Sequence, residues 1–197
     1  MDSNILPYTD SKTSSEEHIS TGVLIGIRII LEDIVSSNRI YEMGFYGKPF
    51  GVRKPGPNKY SRPLELSLIE GLYLAENGYL RVVDPGKGEL EPNELREYAR
   101  TKIPEFELMY KVYKDLRDRG LVVRSGLKFG ADYSVYRKGP GLEHAPFLVH
   151  TYRHDELIDP TDLVRSGRLS HSVRKKFVMA IVFQDNVDYV SLEWLRP

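Results

Sequence analysis

The chain has 197 residues, 41% hydrophobic and 28% charged, and its 28 basic and 28 acidic side chains cancel to a formal net charge of zero. That length fits one generous domain or two small ones, and the absence of cysteine excludes disulfide frameworks, thiolate nucleophiles and cysteine-based zinc sites. No run approaches eighteen apolar residues and no secretory leader is evident, so a soluble, cytoplasmic protein with no membrane partner is expected.

Residues 1–20 are polar and aperiodic and are expected to form a flexible leader. The stretch TGVLIGIRIILEDIV that follows is rich in Ile and Val and suits one or two strands. From Tyr41 to Tyr60, YEMGFYGKPFGVRKPGPNKY is dense in glycine and proline and reads as a long non-helical excursion. Its glycines invite a phosphate loop, but Lys48 is followed by Pro49 and the G-x-x-x-x-G-K spacing does not occur. A basic, aromatic loop that touches an extended partner through Lys48, Arg53, Lys54 and Lys59 is the better reading. In RPLELSLIEGLYLAENG, Leu66, Leu68, Ile69, Leu72 and Leu74 fall at helical spacing, and Asn77-Gly78 is a helix C-terminal signal. YLRVVD is then a short strand, PGKGELEPNE a linker and NELREYARTKI a second helix. A domain boundary is expected near residue 100, dividing an N-terminal domain at 21–100 from a C-terminal one at 101–197.

The second half is more regular. EFELMYKVYKDLRDRG sets Phe106, Met109, Tyr110, Tyr113 and Leu116 on one helical face and stops at Gly120. LVVRSG, ADYSVYRKG and APFLVHTYR are strand-like, and DPTDLVRSGRLSHSV opens a helix with an Asp-Pro start. KKFVMAIVF and VDYVSLEWL close the chain as strands joined by QDN. The expected fold class is α/β (mixed α+β): two small domains, each a mixed β-sheet flanked by helices. Zero net charge argues at first against a nucleic-acid partner, yet the average hides a basic segment. No acidic residue lies between Asp162 and Asp185, while Arg165, Arg168, Arg174, Lys175 and Lys176 all do.

A carboxylate nuclease commonly uses Asp/Glu-x-Lys on a strand, and no acid from 101 onward is followed two positions later by Lys. His150 and His154 lie at a strand end, where i, i+4 spacing does not converge on a metal. No G-x-S-x-G elbow is present. Metal-free acid–base chemistry remains, for which Tyr, His and Lys suffice. Cleavage of RNA by its own 2′-hydroxyl needs a base, an acid for the departing 5′-oxygen and a cation for the phosphorane-like transition state. Histidine suits the acid, a tyrosine beside cations the base, and a lysine the charge. Tyr136, His144 across a Gly-Pro-Gly turn, and a lysine of the 175–176 pair supply one of each. Tyrosines at strand ends and histidines in turns are also commonplace surface residues.

The phrases GLKFGADYSVYRKGPG and EHAPFLVH, followed by SVRKK, are more specific, and residues 103–197 strongly resemble the catalytic domain of the archaeal tRNA-splicing endonucleases. Residues 62–85 are similar to that family's N-terminal domain more loosely. The resemblance implies that Tyr136, not Tyr133, is the catalytic tyrosine, His144 the histidine, and Lys175 rather than Lys176 the lysine. It implies cleavage of precursor tRNA at a bulge-helix-bulge motif with no metal or cofactor, leaving a 2′,3′-cyclic phosphate and a 5′-hydroxyl. Arg168 and Trp194 are expected to hold a flipped bulge base, Trp194 standing where some members have arginine. Lys48, Arg174 and Lys176 are expected to touch the RNA. Asp185 and Asp188 of QDNVD are expected at a subunit interface, and the 41–60 loop resembles an insertion of crenarchaeal members. A two-plus-two heterotetramer with a sister structural subunit follows from that likeness. The rival readings are a non-catalytic RNA-binding subunit of the same assembly and a metal-dependent nuclease on a related fold.

Overall fold

The computed structural model describes residues 19–192 and consists of two mixed sheets with helices packed on them. In the first half, strands β1 (Ser20–Ile25) and β2 (Arg28–Leu31) are followed by helix α1 (Ile34–Gly44), the short β3 (Lys48–Pro49) and β4 (Leu64–Ser67). Helix α2 (Leu68–Glu76), β5 (Leu80–Asp84), β6 (Gly88–Leu90) and helix α3 (Pro92–Lys102) complete it. The sheet order is β3-β4-β2-β1-β5-β6, with β1 parallel to β5 and its other pairs antiparallel.

Helix α1 was not expected: its last four residues, Tyr41–Gly44, belong to the stretch read as non-helical. The signals for it are local. The Asp33 carboxylate caps the Ser36 N–H at 2.8 Å, and Ser37, Ile40 and Tyr41 are buried at helical spacing. Helix α2 begins at Leu68, later than its apolar spacing suggested, because Leu64–Ser67 is an edge-side strand. Ser67 then forms a reciprocal cap with Glu70: Ser67 N donates to Glu70 Oε2 at 2.9 Å, and Glu70 N to Ser67 Oγ at 3.2 Å. The stretch read as a linker contributes β6.

In the second half, helix α4 (Phe106–Asp118) leads into β7 (Val122–Ser125), a single 3-10 turn (Leu127–Phe129), β8 (Tyr133–Tyr136) and β9 (Phe147–Arg153). Helix α5 (Pro160–Ser172), capped by Asp159, precedes β10 (Lys176–Val182) and β11 (Val187–Leu192). The order is β11-β10-β9-β8-β7. Among the described residues of this sheet only the β9/β10 pair is parallel, and α5 makes the long connection that a parallel pair requires.

Helix α4 holds the halves together. It buries Phe106, Tyr110, Val112, Tyr113 and Leu116, and each such side chain contributes about 1.5–3 kcal/mol of burial. Buried residues of both sheets join one continuous core. The Tyr73 hydroxyl of α2 donates to Asp118 at 2.9 Å and the Tyr110 hydroxyl of α4 to Glu76 at 2.6 Å, tying the two helices further. Among the described residues no helix is long and apolar enough to cross a membrane.

Candidate active site

Sheet register brings three separate segments to one edge. Val135 of β8 pairs with Phe147, the first residue of β9, so Tyr136 at the end of β8 lies beside the chain entering β9. Lys176, the first residue of β10, pairs in parallel with the same Phe147, and its N–H donates to Pro146 O at 2.8 Å. The residues just before β9 and β10, His144–Pro146 and Arg174–Lys175, therefore meet at the edge where β8 ends.

Hydrogen bonds fix that meeting. Glu143 Oε1 accepts from Arg137 N and from Lys138 N, both at 2.6 Å, so the residue before His144 grips the two residues after Tyr136. Those backbone N–H groups hold the Glu143 carboxyl below the usual carboxylate range. Within the turn, Leu142 N and Glu143 N both donate to Gly139 O at 3.2 Å. On the other side, Lys175 Nζ donates to Ala145 O at 2.5 Å, one residue beyond His144, and sits 5.1 Å over the Phe129 ring. Partial burial lowers the pKa of the Lys175 ammonium. His144 itself is exposed.

Tyr136 is half-buried, and burial raises its phenol above the ordinary value. The Arg124 guanidinium of β7 opposes that shift and Glu143 adds to it. A tyrosine serving as the base was expected to lie beside cations that lower its phenol. The cation beside Tyr136 is Arg124, and burial outweighs it.

The remaining candidates are distributed around this edge. Arg168 is exposed on α5. Arg174 is exposed and takes a left-handed backbone conformation, φ 54°, at the bend between α5 and β10. Lys176 is exposed at the start of β10, with its side chain one residue out of phase with Lys175. Lys48 is exposed on β3 and lines a cleft of about 260 Å³ between the halves, together with Arg28, Glu65, Glu70, Arg124 and Asp132. It is not among the residues that meet at the β8 edge. Asp185 is exposed in the β10/β11 turn and Asp188 is exposed just beyond it on β11, far along the sheet from Lys176. Lys111 of α4 clamps that turn by donating to Phe183 O at 2.7 Å and Gln184 O at 2.5 Å. Trp194 lies outside the described residues, as do residues 1–18 of the expected leader. Among the described residues, no three of His, Cys, Asp or Glu gather into a metal-ligating group.

Glu143, Arg124 and Lys111 were missed as site-shaping residues. Glu143 had a signal, an acid directly before the histidine at the far end of a Gly-Pro-Gly turn, where backbone N–H groups face inward. Arg124 reaches Phe45 and Lys111 reaches Phe183 over separations of more than seventy residues, which no local pattern announces.

Residues 20–96 match the family model described as tRNA intron endonuclease, N-terminal domain, and residues 106–189 match tRNA intron endonuclease, catalytic C-terminal domain. A protein of Hyperthermus butylicus named tRNA-splicing endonuclease is 51% identical over 177 residues, covering 89% of this chain and 98% of that protein. Proteins of the same name from Saccharolobus solfataricus and Saccharolobus islandicus are 47% and 46% identical, each covering 88% of this chain and 97% of theirs.

Proposed function

The chain belongs to the tRNA intron endonuclease family, and from that premise we infer that it is a catalytic subunit that cuts precursor tRNA at the intron–exon junctions of a bulge-helix-bulge motif. The observation that carries this reading is the pair of clamps around His144. Glu143 ties its turn to the end of β8, and Lys175 Nζ bonds Ala145 O, so a phenol, an imidazole and an ammonium share one edge.

In this reading Tyr136 removes the proton from the 2′-hydroxyl at the junction. The 2′-oxygen then attacks phosphorus, the bond from phosphorus to the 5′-oxygen breaks, and His144 gives a proton to the departing oxygen. The products are a 2′,3′-cyclic phosphate and a 5′-hydroxyl, with no net gain or loss of protons and no water consumed. Lys175 is the fixed cation for the phosphorane-like transition state. Its ammonium is already held by a carbonyl and reorganises little as charge develops. The raised phenol of Tyr136 makes the tyrosinate scarce at neutral pH but strongly basic.

RNA is held along the basic segment. Arg168 stacks on one face of a flipped bulge base and Trp194 on the other, and a stacked base is worth about 1–3 kcal/mol. Arg174, Lys176 and Lys48 contact phosphates. The chain acts within a two-plus-two heterotetramer with a sister structural subunit, into which the Asp185/Asp188 turn docks. The test is cleavage of a bulge-helix-bulge RNA in EDTA, by this chain alone and with a sister chain, with analysis of the product ends. Cyclic phosphate formed in EDTA only with the sister chain is expected. A metal requirement overturns the mechanism, and an active tetramer of this chain alone overturns the assembly.

A further inference from the structure

The turn that carries His144 rests on the other half of the molecule. Helix α1 ends in a hook, because Phe45 takes a left-handed conformation, φ 55°, and returns its N–H to Tyr41 O at 2.6 Å. A bulky residue at positive φ persists only where its surroundings hold it there. Here two cations from the second half do so. Arg117 Nη1 donates to Gly44 O at 2.8 Å, and Arg124 Nη1 donates to Phe45 O at 2.6 Å and also to Gly47 O. Both guanidiniums meet carbonyls at or just past the negative end of α1. Glu70 completes the anchor, accepting from Gly47 N at 2.9 Å and facing Arg124 at 3.6 Å.

The hook presents the Phe45 ring to the turn. A Cβ placed on Gly139 would lie 2.4 Å from Phe45 Cε2, so the ring edge rests on bare backbone between Tyr136 and His144. Two residues later the contact is repeated: a Cβ on Gly141 would lie 2.8 Å from both Gly56 Cα and Pro57 Cδ. Gly139 at φ 127° and Gly141 at φ 84° serve both the bend and the close approach. Gly56 is in turn fixed, its N–H donating to the Tyr60 hydroxyl at 2.8 Å and its carbonyl accepting from the Tyr41 hydroxyl at 3.1 Å.

We propose that residues 45–57 are a brace for the catalytic turn, with Phe45 a positioning residue that sets His144 against Tyr136 through Gly139. This rests on the acid–base reading above and extends it to a residue that touches none of the reacting atoms. Displacement of a catalytic group by about 1 Å costs roughly 100-fold in rate. Phe45→Ala, in the full chain and its active assembly, is therefore expected to slow single-turnover cleavage of a bulge-helix-bulge RNA by about 100-fold. Affinity for the same RNA carrying a 2′-deoxy junction stays within about twofold, because no phosphate contact is lost. Phe45→Leu keeps apolar bulk but withdraws the ring edge, and is expected to lose about tenfold. It decides the matter if Phe45→Ala does not fold. Rates are taken well below each variant's melting temperature, with His144→Ala in parallel. A cleavage rate within threefold of the parent in the folded variants, or a loss wholly accounted for by weaker RNA binding, overturns the brace. If His144→Ala is inactive in that case, the acid–base reading stands without it. Full activity in His144→Ala overturns both.

Discussion

Replacing Arg117 by leucine isolates the energetics of the junction between the two halves. The side chain is 6% exposed, and its guanidinium donates to Tyr113 Oη at 3.0 Å, Gly44 O at 2.8 Å and Val123 O at 3.1 Å. It also lies 4.1 Å over the Tyr46 ring. Leucine supplies no donor, so three acceptors lose a partner, each at about 1 kcal/mol or more when buried. The lost cation–π contact adds about 1–2 kcal/mol, and the apolar packing of leucine offsets part of the total. A net loss of about 3 kcal/mol corresponds to a fall of about 6–12 °C in melting temperature for a chain of this size. The assay is thermal unfolding of parent and variant at equal pH and subunit concentration, because assembly also shifts the midpoint. Arg117→Lys, with a single ammonium in place of the fork, should fall between them. A leucine variant melting within about 2 °C of the parent would refute the reasoning, because it would mean that these acceptors find other partners at no cost.

Two further outcomes follow from clamps near the site. The Glu143 carboxyl is held below its ordinary value of 4.5 in the folded chain, so the stabilisation it gives is complete above that value and is lost as pH falls through the lower folded value. Glu143→Gln should flatten this part of the acid decline in melting temperature, and Glu143→Ala, which frees Arg137 N and Lys138 N, should slow cleavage without weakening RNA binding. Lys111→Ala releases the Phe183 and Gln184 carbonyls that steady the Asp185 turn. Sedimentation should then show the assembly dissociating at higher subunit concentration than the parent, with cleavage per assembled complex unchanged.

Legibility in the sequence followed the range of the interactions. Strands β7 to β11 and helices α4 and α5 announce themselves through apolar period and an Asp-Pro start, all local features. Helix α1 was hidden because IVSSNRIYEMG combines β-branched residues and serines, whose weak helical preference is overridden by the Asp33 cap and by burial of Ile40 and Tyr41. The nearness of Tyr136 to His144 could be read from one turn, and that of Lys175 followed once β10 was known to lie beside β9. The hook at Phe45 could not be read. Its position depends on Arg124, 79 residues away, and on a turn glycine whose bare backbone has no sequence signal beyond the letter itself. The phenol of Tyr136 illustrates the same limit, since its burial comes from the fold and outweighs the nearby cation.

The assignment of base and acid is tested most directly with an RNA whose junction carries sulfur in place of the bridging 5′-oxygen, a leaving group that needs no proton. His144→Ala should cleave the ordinary RNA roughly 100- to 10,000-fold more slowly than the parent and recover most of that loss on the sulfur substrate. Tyr136→Phe should be slow on both. Equal rescue of the two variants, or rescue of neither, would contradict the roles given to Tyr136 and His144.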